Sequence, residues 1–279
     1  MSLAVAADGS VAFTDGFEWA IVAVNGPLTS IDAGFSANGP LTYGRGGDGA
    51  RYSGWPAFSG NAATSLVVRE GSGTSMRWSF TSIPPIAILA GPDGATWVLT
   101  FAGMVRLNAD GSTTLVPLAP APGGFASPID VVLGADGAFW ITEFEGAVER
   151  VPVQGAPVRY AVGGKPGRAA LGPDGAVWFL DPDGLVRRIT TSGAVTIMTA
   201  TSGFALGDAL AAGRDGAVWA THASTNELLR ITPDGITSRY PATANGAIKP
   251  TGIAAAPDGS LYFVEETAGG LLLVHATPH

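Results

Sequence analysis

Cysteine is absent from the sequence, and charged residues are scarce. Of 279 residues, 15 are Lys or Arg and 23 are Asp or Glu, so the net charge is −8. Without cysteine, disulfide frameworks, thiolate metal sites and thiol nucleophiles are excluded. An acidic chain with few basic residues also lacks the positive surface that collects phosphates, so nucleic acid is not expected as a partner.

Long apolar runs are missing as well. No stretch approaches the ~20 consecutive apolar residues of a membrane-spanning helix, so no membrane span is predicted. Residues 1–3 show neither the basic region nor the apolar core of a signal peptide, and the compartment stays open. Nevertheless 46% of the residues are hydrophobic, which is too many for a disordered chain. The chain is therefore expected to fold into a globular protein.

Turn-forming residues, in contrast, are abundant, with 40 glycines and 20 prolines. Asp-Gly pairs recur along the chain at intervals of 38 to 45 residues. The pairs begin at Asp8, Asp48, Asp93, Asp136, Asp174, Asp215 and Asp258. In six of these seven units a large aromatic residue follows four positions later: Tyr52, Trp97, Trp140, Trp178, Trp219 and Tyr262. This regular spacing indicates seven repeated units.

Each unit has the pattern of four short strands. In residues 167–199, for example, apolar segments alternate with turns at 173–175 and 191–193. Asp-Gly between two apolar runs is a strong hairpin signal. Four antiparallel strands in about 40 residues, repeated radially, predict an all-β fold, the β-propeller. The last unit has only three apolar segments, so its blade is predicted to be three-stranded.

We therefore predict one seven-bladed propeller domain over residues 1–279. The expected blades are approximately 1–39, 40–83, 84–126, 127–165, 166–205, 206–248 and 249–279. The aromatic column is interpreted as packing between blades. An arginine that recurs in the third strand is interpreted as a structural tie to a neighbouring acid or carbonyl group: Arg106, Arg150, Arg188 and Arg230.

The repeated phrase Pro-Asp-Gly-x-x-Trp, with Arg-Ile-Thr-Pro-Asp-Gly at 230–235, resembles the virginiamycin B lyase-like propellers, also called streptogramin lyase-like. These are relatives of the NHL and SMP-30/gluconolactonase-type propellers. The likeness covers residues 84–275 well and the first two units weakly. It implies seven blades and a magnesium-assisted elimination that opens a cyclic depsipeptide antibiotic at one mouth of the central channel.

The resemblance also implies positions for the chemistry. The family uses a Glu-Pro-His triplet at the start of a late inner strand, a second His one blade earlier, and a Glu at the end of the next strand. In the Asp-Gly register the triplet falls on Lys249, Pro250 and Thr251, and the earlier His falls on Asp208. Only Glu265 matches a catalytic acid of the family.

The register alone also places polar residues on one face. In a propeller blade the start of the first strand and the end of the second strand lie at the same mouth of the channel. The second-strand ends, seven residues after each Asp, are Asp15, Trp55, Thr100, Glu143, Asp181, His222 and Glu265. The first-strand starts, seven residues before, include Asp208 and Thr251.

Three interpretations of this ring stay open. The side chains are solvated strand ends, or Glu143, Asp181 and Glu265 supply oxygen ligands to a divalent cation such as Mg²⁺ or Ca²⁺. In the third interpretation His222 is a general acid or base, assisted by Glu265 or by a metal.

Two functional hypotheses follow. In the first, the protein binds a polar small molecule or peptide-like ligand at the channel mouth, through Asp208, Thr251 and Trp55. Trp55 lies in a Gly-rich segment, 44–60, that forms either a ligand wall or a degenerate blade. If the protein is an enzyme, His222 and Glu265 carry out a metal-assisted elimination or hydrolysis. In the second, it is a non-catalytic NHL-like sensor or scaffold that takes a protein partner.

Overall fold

The structure is a computed structural model of the chain. It describes residues 2–5, 11–14, 19–22, 28–30, 42–48, 50–59, 62–69, 76–81, 85–122, 124, 126–205, 208–242, 249–267 and 270–277. Asp8 and Asp15 lie outside the described residues, as does the side chain of Trp55. Within the described part the chain forms 27 strands, and no helix there is long and apolar enough to cross a membrane.

The strands follow one another in groups of four. The first group is β1 (Ser2–Val5), β2 (Val11–Thr14), β3 (Trp19–Val22) and β4 (Leu28–Ser30). The second is β5 (Thr42–Arg45), β6 (Arg51–Ser59), β7 (Ala62–Arg69) and β8 (Arg77–Phe80). The third is β9 (Ala87–Ala90), β10 (Thr96–Thr100), β11 (Gly103–Leu107) and β12 (Thr113–Pro117). The fourth is β13 (Pro128–Leu133), β14 (Phe139–Glu143), β15 (Ala147–Val151) and β16 (Val158–Ala161).

The remaining groups complete the chain. The fifth is β17 (Ala169–Leu171), β18 (Val177–Asp181), β19 (Leu185–Ile189) and β20 (Val195–Ala200). The sixth is β21 (Leu210–Ala212), β22 (Val218–His222), β23 (Glu227–Ile231) and β24 (Thr237–Pro241). The last is β25 (Lys249–Ala255), β26 (Leu261–Thr267) and β27 (Gly270–Ala276). Within each group, strands that are neighbours in sequence pair antiparallel.

The innermost strands of the seven groups form a closed ring. Each of β1, β5, β9, β13, β17, β21 and β25 lies against the next, and β1 lies against β25. One parallel pairing, Gly44 with Ile88, joins the second and third groups. The predicted seven-bladed β-propeller is therefore confirmed, and its last blade has three strands in the described part of the chain.

Burial between blades explains the apolar composition of the second strands. Every residue of β10, β14, β18 and β22 is buried, because both faces of each strand contact a neighbouring sheet. The tryptophan column lies in these strands, and Trp97 packs on Phe139 of the next blade at 5.0 Å between ring centroids. The predicted packing role of the column is confirmed.

The Asp-Gly turn fixes the tryptophan and the arginine of the same blade. In the fourth blade, Oδ1 of Asp136 accepts a hydrogen bond from the Trp140 indole at 3.0 Å, and Oδ2 accepts one from Arg150 Nε at 2.6 Å. Burial raises the pKa of Asp136, but these hydrogen bonds outweigh it and hold the pKa below its usual value. Gly137 completes the turn with φ of 72°, which favours glycine. The predicted structural tie is confirmed.

Candidate functional site

Five of the seven predicted second-strand ends have described side chains, and all five are buried. Thr100, Glu143, Asp181 and His222 have 0% relative exposure and Glu265 has 1%. These side chains are therefore not solvated strand ends. The side chains of a second strand face the adjoining blades, because only the innermost strand of each blade borders the channel. We call the boundary between two neighbouring blades a seam.

Glu143 belongs to a buried acidic pair in the seam between the third and fourth blades. Its carboxylate forms an ion pair with Arg159. Glu149, on the next strand, accepts a hydrogen bond at 2.6 Å from the backbone N–H of Ala119, in the segment that enters from the third blade. Burial, followed by the proximity of Glu143, raises the pKa of Glu149 to about 8. Oε1 of Glu143 and Oε2 of Glu149 have no hydrogen-bond partner among the described residues.

Asp181 occupies the corresponding position in the next seam. Its Oδ2 lies 3.2 Å from Arg187 Nη2, and Nη1 of the same arginine donates to the carbonyl oxygen of Val162 at 2.7 Å. Gly164 packs so closely that a Cβ there would lie 1.8 Å from Oδ2 of Asp181. The ion pair thus ties the fifth blade to the segment that leaves the fourth.

His222 lies in the seam between the fifth and sixth blades. Its Nε2 is 3.2 Å from Oγ1 of Thr201, and its Nδ1 contacts Oγ1 of Thr225. The ring meets Phe204 edge to face at 5.0 Å. Burial, together with the positive charge of Arg239, lowers the pKa of His222 below its ordinary value. The imidazole is therefore neutral at pH 7 and held on both ring nitrogens.

Of these five residues, Glu265 has the fewest hydrogen-bond partners in the described part of the chain. Oε1 has no hydrogen-bond partner among the described residues, and burial raises the pKa of the carboxyl. Thr251 is buried on β25, where it pairs with Val264, the neighbour of Glu265. Glu265 and His222 belong to different blades.

A small cavity opens at the first-strand starts of three successive blades. It has a volume of about 130 Å³. The lining residues are Ile129, Gly167, Arg168, Leu180, Pro182, Phe204, Ala205 and Asp208. Three of them, Ile129, Gly167 and Asp208, stand seven residues before an Asp-Gly pair, so the register placed them together correctly.

Asp208 is the buried carboxyl of this cavity. Oδ2 accepts a hydrogen bond from the backbone N–H of Ala205 at 2.6 Å, and Oδ1 accepts one from Ala223 at 2.8 Å. Burial nevertheless raises its pKa to about 6. Phe204 borders the cavity on one side and the His222 ring on the other. Asp208 is thus poised to exchange a proton near neutral pH.

Of the predicted site residues whose side chains the structure describes, only Asp208 lines this cavity. His222 lies behind Phe204, whereas Glu143 and Asp181 pair with arginines in two other seams. The sequence interpretation missed Glu149, Arg159, Arg187 and Phe204. The signal was present in part, because Glu149 and Arg187 are charged residues at the same register of their third strands, directly before the recurring arginine.

The donor set does not fit a divalent cation. No three His, Asp or Glu side chains come together to hold a metal ion in the part of the chain that the structure describes. Glu143 and Asp181 each pair with an arginine, so a cation would have to displace a guanidinium there. The backbone N–H groups on Asp208 likewise take up part of its acceptor capacity.

Known structures share this architecture. A catalytically inactive variant of virginiamycin B lyase from Staphylococcus aureus, crystallised with quinupristin, has a TM-score of 0.79 at 21% identity, covering 99% of this chain and 94% of that one. A streptogramin B lyase gives 0.72 at 22% identity, covering 94% and 89%. A putative gluconolactonase gives 0.57 at 15% identity, covering 100% and 90%.

Sequence comparison identifies the family. No curated protein matches the sequence significantly. The model of the virginiamycin B lyase family, however, matches residues 72–276, which is most of the chain. The resemblance drawn from the Asp-Gly phrase is thereby confirmed, and the chain belongs to the virginiamycin B lyase family.

Proposed function

We propose that residues 1–279 act as one propeller domain that binds a polar, peptide-like ligand at one mouth of the channel, with Asp208 as the central contact. The observation that carries this proposal is the cavity beside Asp208, where a buried carboxyl with a raised pKa meets the apolar side chains of Leu180 and Phe204. Ligand sites combine apolar walls with a few convergent polar groups in this way.

The cavity is too small to enclose a whole ligand, so it holds only one part of it. At about 130 Å³ it holds one chemical group, whereas sites for whole small molecules measure roughly 300–1,000 Å³. The rest of the ligand then lies across the face. Phe144, at a hairpin tip of this face, is 46% exposed, and its N–H binds the carbonyl of Ser127 next to the cavity-lining strand β13. Phe101 is exposed at the equivalent tip of the third blade.

The polar groups of the cavity suit a peptide. The Asp208 carboxylate accepts hydrogen bonds, and the Arg168 guanidinium, which lies 3.8 Å from Oδ1 of Asp130, donates them. A peptide unit carries one donor and one acceptor, so it is matched by this pair. Thr251 and Trp55 remain predicted ligand contacts.

Lyase activity is the finer part of the proposal. An elimination needs a base that is poised near neutral pH. Asp208 occupies the position where the resemblance places a histidine, and its pKa of about 6 suits that role. In this proposal the Asp208 carboxylate takes a proton from a carbon of the ligand, a carbon–carbon double bond forms, and the neighbouring ester C–O bond breaks with a carboxylate as the leaving group. His222 and Glu265 stay predicted catalytic residues. No divalent cation is part of this proposal, because Glu143 and Asp181 pair with arginines.

The experiment is a calorimetric titration with quinupristin, the compound bound by the solved relative. Asp208→Asn is expected to weaken binding about tenfold or more, because it removes a charged hydrogen-bond acceptor. Asp110→Asn, the same change in an exposed turn on the opposite face, serves as the matched control and is expected to bind normally. Equal affinity in all three proteins would contradict the proposal.

The alternative function is a non-catalytic, NHL-like scaffold with a protein partner. The exposed Phe101 and Phe144 favour it, because aromatic side chains are enriched in protein interfaces. Mass spectrometry of quinupristin after incubation separates the two functions. A ring-opened product that disappears in Asp208→Asn supports the lyase, and unchanged compound with retained binding supports the scaffold.

A further inference from the structure

A second and larger cleft opens on the opposite face, between the second and third blades. We refer to it as the turn-face cleft, because the Asp-Gly turns of both blades border it. Its volume is about 480 Å³, which lies within the usual range of roughly 300–1,000 Å³ for small-molecule sites. Its charged walls are Asp48 and Arg69 from one blade and Asp93 and Arg106 from the other.

The carboxylates of this cleft are occupied. Asp48 accepts hydrogen bonds from Arg69 Nε at 2.7 Å, from the Tyr52 hydroxyl at 3.2 Å and from the Ala50 N–H at 3.0 Å. Asp93 accepts from Arg106 Nε at 2.6 Å, from the Trp97 indole at 2.9 Å and from the Ala95 N–H at 3.2 Å. Although burial opposes ionisation, these bonds lower the pKa of both carboxyls, so both remain ionised.

The guanidiniums, in contrast, keep donors to spare. Each carries five N–H donors in a planar fork. Arg69 donates Nε–H to Asp48 and lies beside the Tyr52 hydroxyl, and Arg106 donates to Asp93 and to Asn108. Within the described part of the chain no further hydrogen bond of these two side chains is found. The cleft therefore offers a surplus of charged donors from two blades, which suits an anionic acceptor.

The remaining lining is apolar and aromatic. The rings of Tyr52 and Trp78 lie 5.8 Å apart, and both side chains are buried. Trp78 is fixed across the seam, because its indole donates to the carbonyl oxygen of Asn108 at 2.9 Å. Met76 lies at the rim and is 37% exposed. This lining suits the apolar body of a ligand whose anionic group reaches the arginines.

We propose that the turn-face cleft binds a small organic anion, a phosphate or carboxylate attached to an apolar or aromatic body. Arg69 and Arg106 bind the anionic group, and Met76 with the edges of Trp78 and Tyr52 contacts the body. The cleft is separate from the channel-mouth cavity, which lies at the other ends of the innermost strands. The proposal therefore does not depend on the function proposed for that cavity.

Calorimetric titration with phenyl phosphate tests the site. Phenol and inorganic phosphate, which represent the apolar and the anionic part of this probe, are titrated separately for comparison. Phenyl phosphate is expected to bind more tightly than either of them. Arg69→Gln and Arg106→Gln are each expected to weaken it about tenfold or more, because a charge-assisted hydrogen bond is lost. Arg150→Gln is the matched control, because it removes the same Asp–Arg tie from a blade that does not line the cleft.

Met76→Glu tests the site without removing a contact that stabilises the fold, because Met76 is an exposed residue at the rim. The substitution adds a negative charge to the cleft. It is expected to weaken phenyl phosphate binding, and to do so less at high salt. The proposal is overturned if phenyl phosphate does not bind at millimolar concentration, or if Met76→Glu and the arginine variants bind as the native protein does. It is also overturned if Arg150→Gln weakens binding as much as Arg69→Gln.

Discussion

At the scale of single residues, the pair of Glu143 and Glu149 has a direct consequence for stability. The native protein holds a proton on Glu149 up to about pH 8, whereas an unfolded chain releases it near 4.5. The native state therefore binds more protons between these values. Consequently the free energy of unfolding falls as the pH rises from 4.5 through 8, by up to about 1.4 kcal/mol per pH unit.

Glu149→Gln is expected to remove much of this pH dependence and to make the protein more stable than the native chain at pH 9. The amide oxygen keeps the hydrogen bond from Ala119, but the side chain no longer titrates. Urea unfolding at a series of pH values measures the effect. Glu145→Gln, an exposed neighbour in the same blade, is the control, and an equal pH slope in all three proteins would show that the pKa of Glu149 is not raised in the native state.

The individual roles of these residues were hard to predict from the sequence. The register correctly identified Glu143, Asp181, His222 and Glu265 as equivalent strand ends, but it did not show which way their side chains point. Successive residues of a strand point to opposite faces, and in a propeller both faces meet another blade. The arginine partners of Glu143 and Asp181 stand on other strands of the same blade, Arg159 on β16 and Arg187 on β19, and the repeat does not indicate which of these side chains meets the strand end.

At the scale of elements, the Asp–Trp–Arg tie stabilises the turns of the third to sixth blades. Trp140 and Arg150 stand opposite each other on β14 and β15, and Asp136 binds both. The second blade uses Asp48, Tyr52 and Arg69 in the same arrangement. Turn chemistry and strand pairing are local, which is why the repeat could be predicted from the sequence.

Asp136→Ala is expected to lower the free energy of unfolding by about 1–3 kcal/mol, because it leaves the buried indole N–H of Trp140 and the Arg150 guanidinium without their acceptor. Thermal or urea unfolding followed by tryptophan fluorescence measures the loss. Asp110→Ala, in an exposed turn, is expected to cost less than this. If the two variants lose the same stability, the tie contributes nothing beyond an ordinary turn.

At the scale of the whole molecule, seven blades close into a ring, and a small cavity opens at the first-strand starts of three of them. The number of blades, the three-stranded last blade and the position of Asp208 could be predicted from the Asp-Gly register. The cavity itself could not, because Phe204 and Pro182 reach it from segments between strands, where the repeat imposes no spacing.

The same packing makes a prediction about metals. Because Glu143 and Asp181 pair with arginines, magnesium or calcium at a few millimolar is expected to leave the melting temperature unchanged, and EDTA likewise. A bound ion at a hundred times its Kd would add about 2.7 kcal/mol to the free energy of unfolding. A rise in melting temperature that Asp181→Asn abolishes would establish the metal site and refute this expectation.

The central claim is that the ligand binds beside Asp208 at the channel mouth. A crystal structure of the protein with quinupristin tests it most directly. We expect electron density for one group of the compound inside the cavity between Ile129, Phe204 and Asp208, within hydrogen-bond distance of the Asp208 carboxyl. Density for the compound on the outer strands of the blades, with this cavity empty, would contradict it.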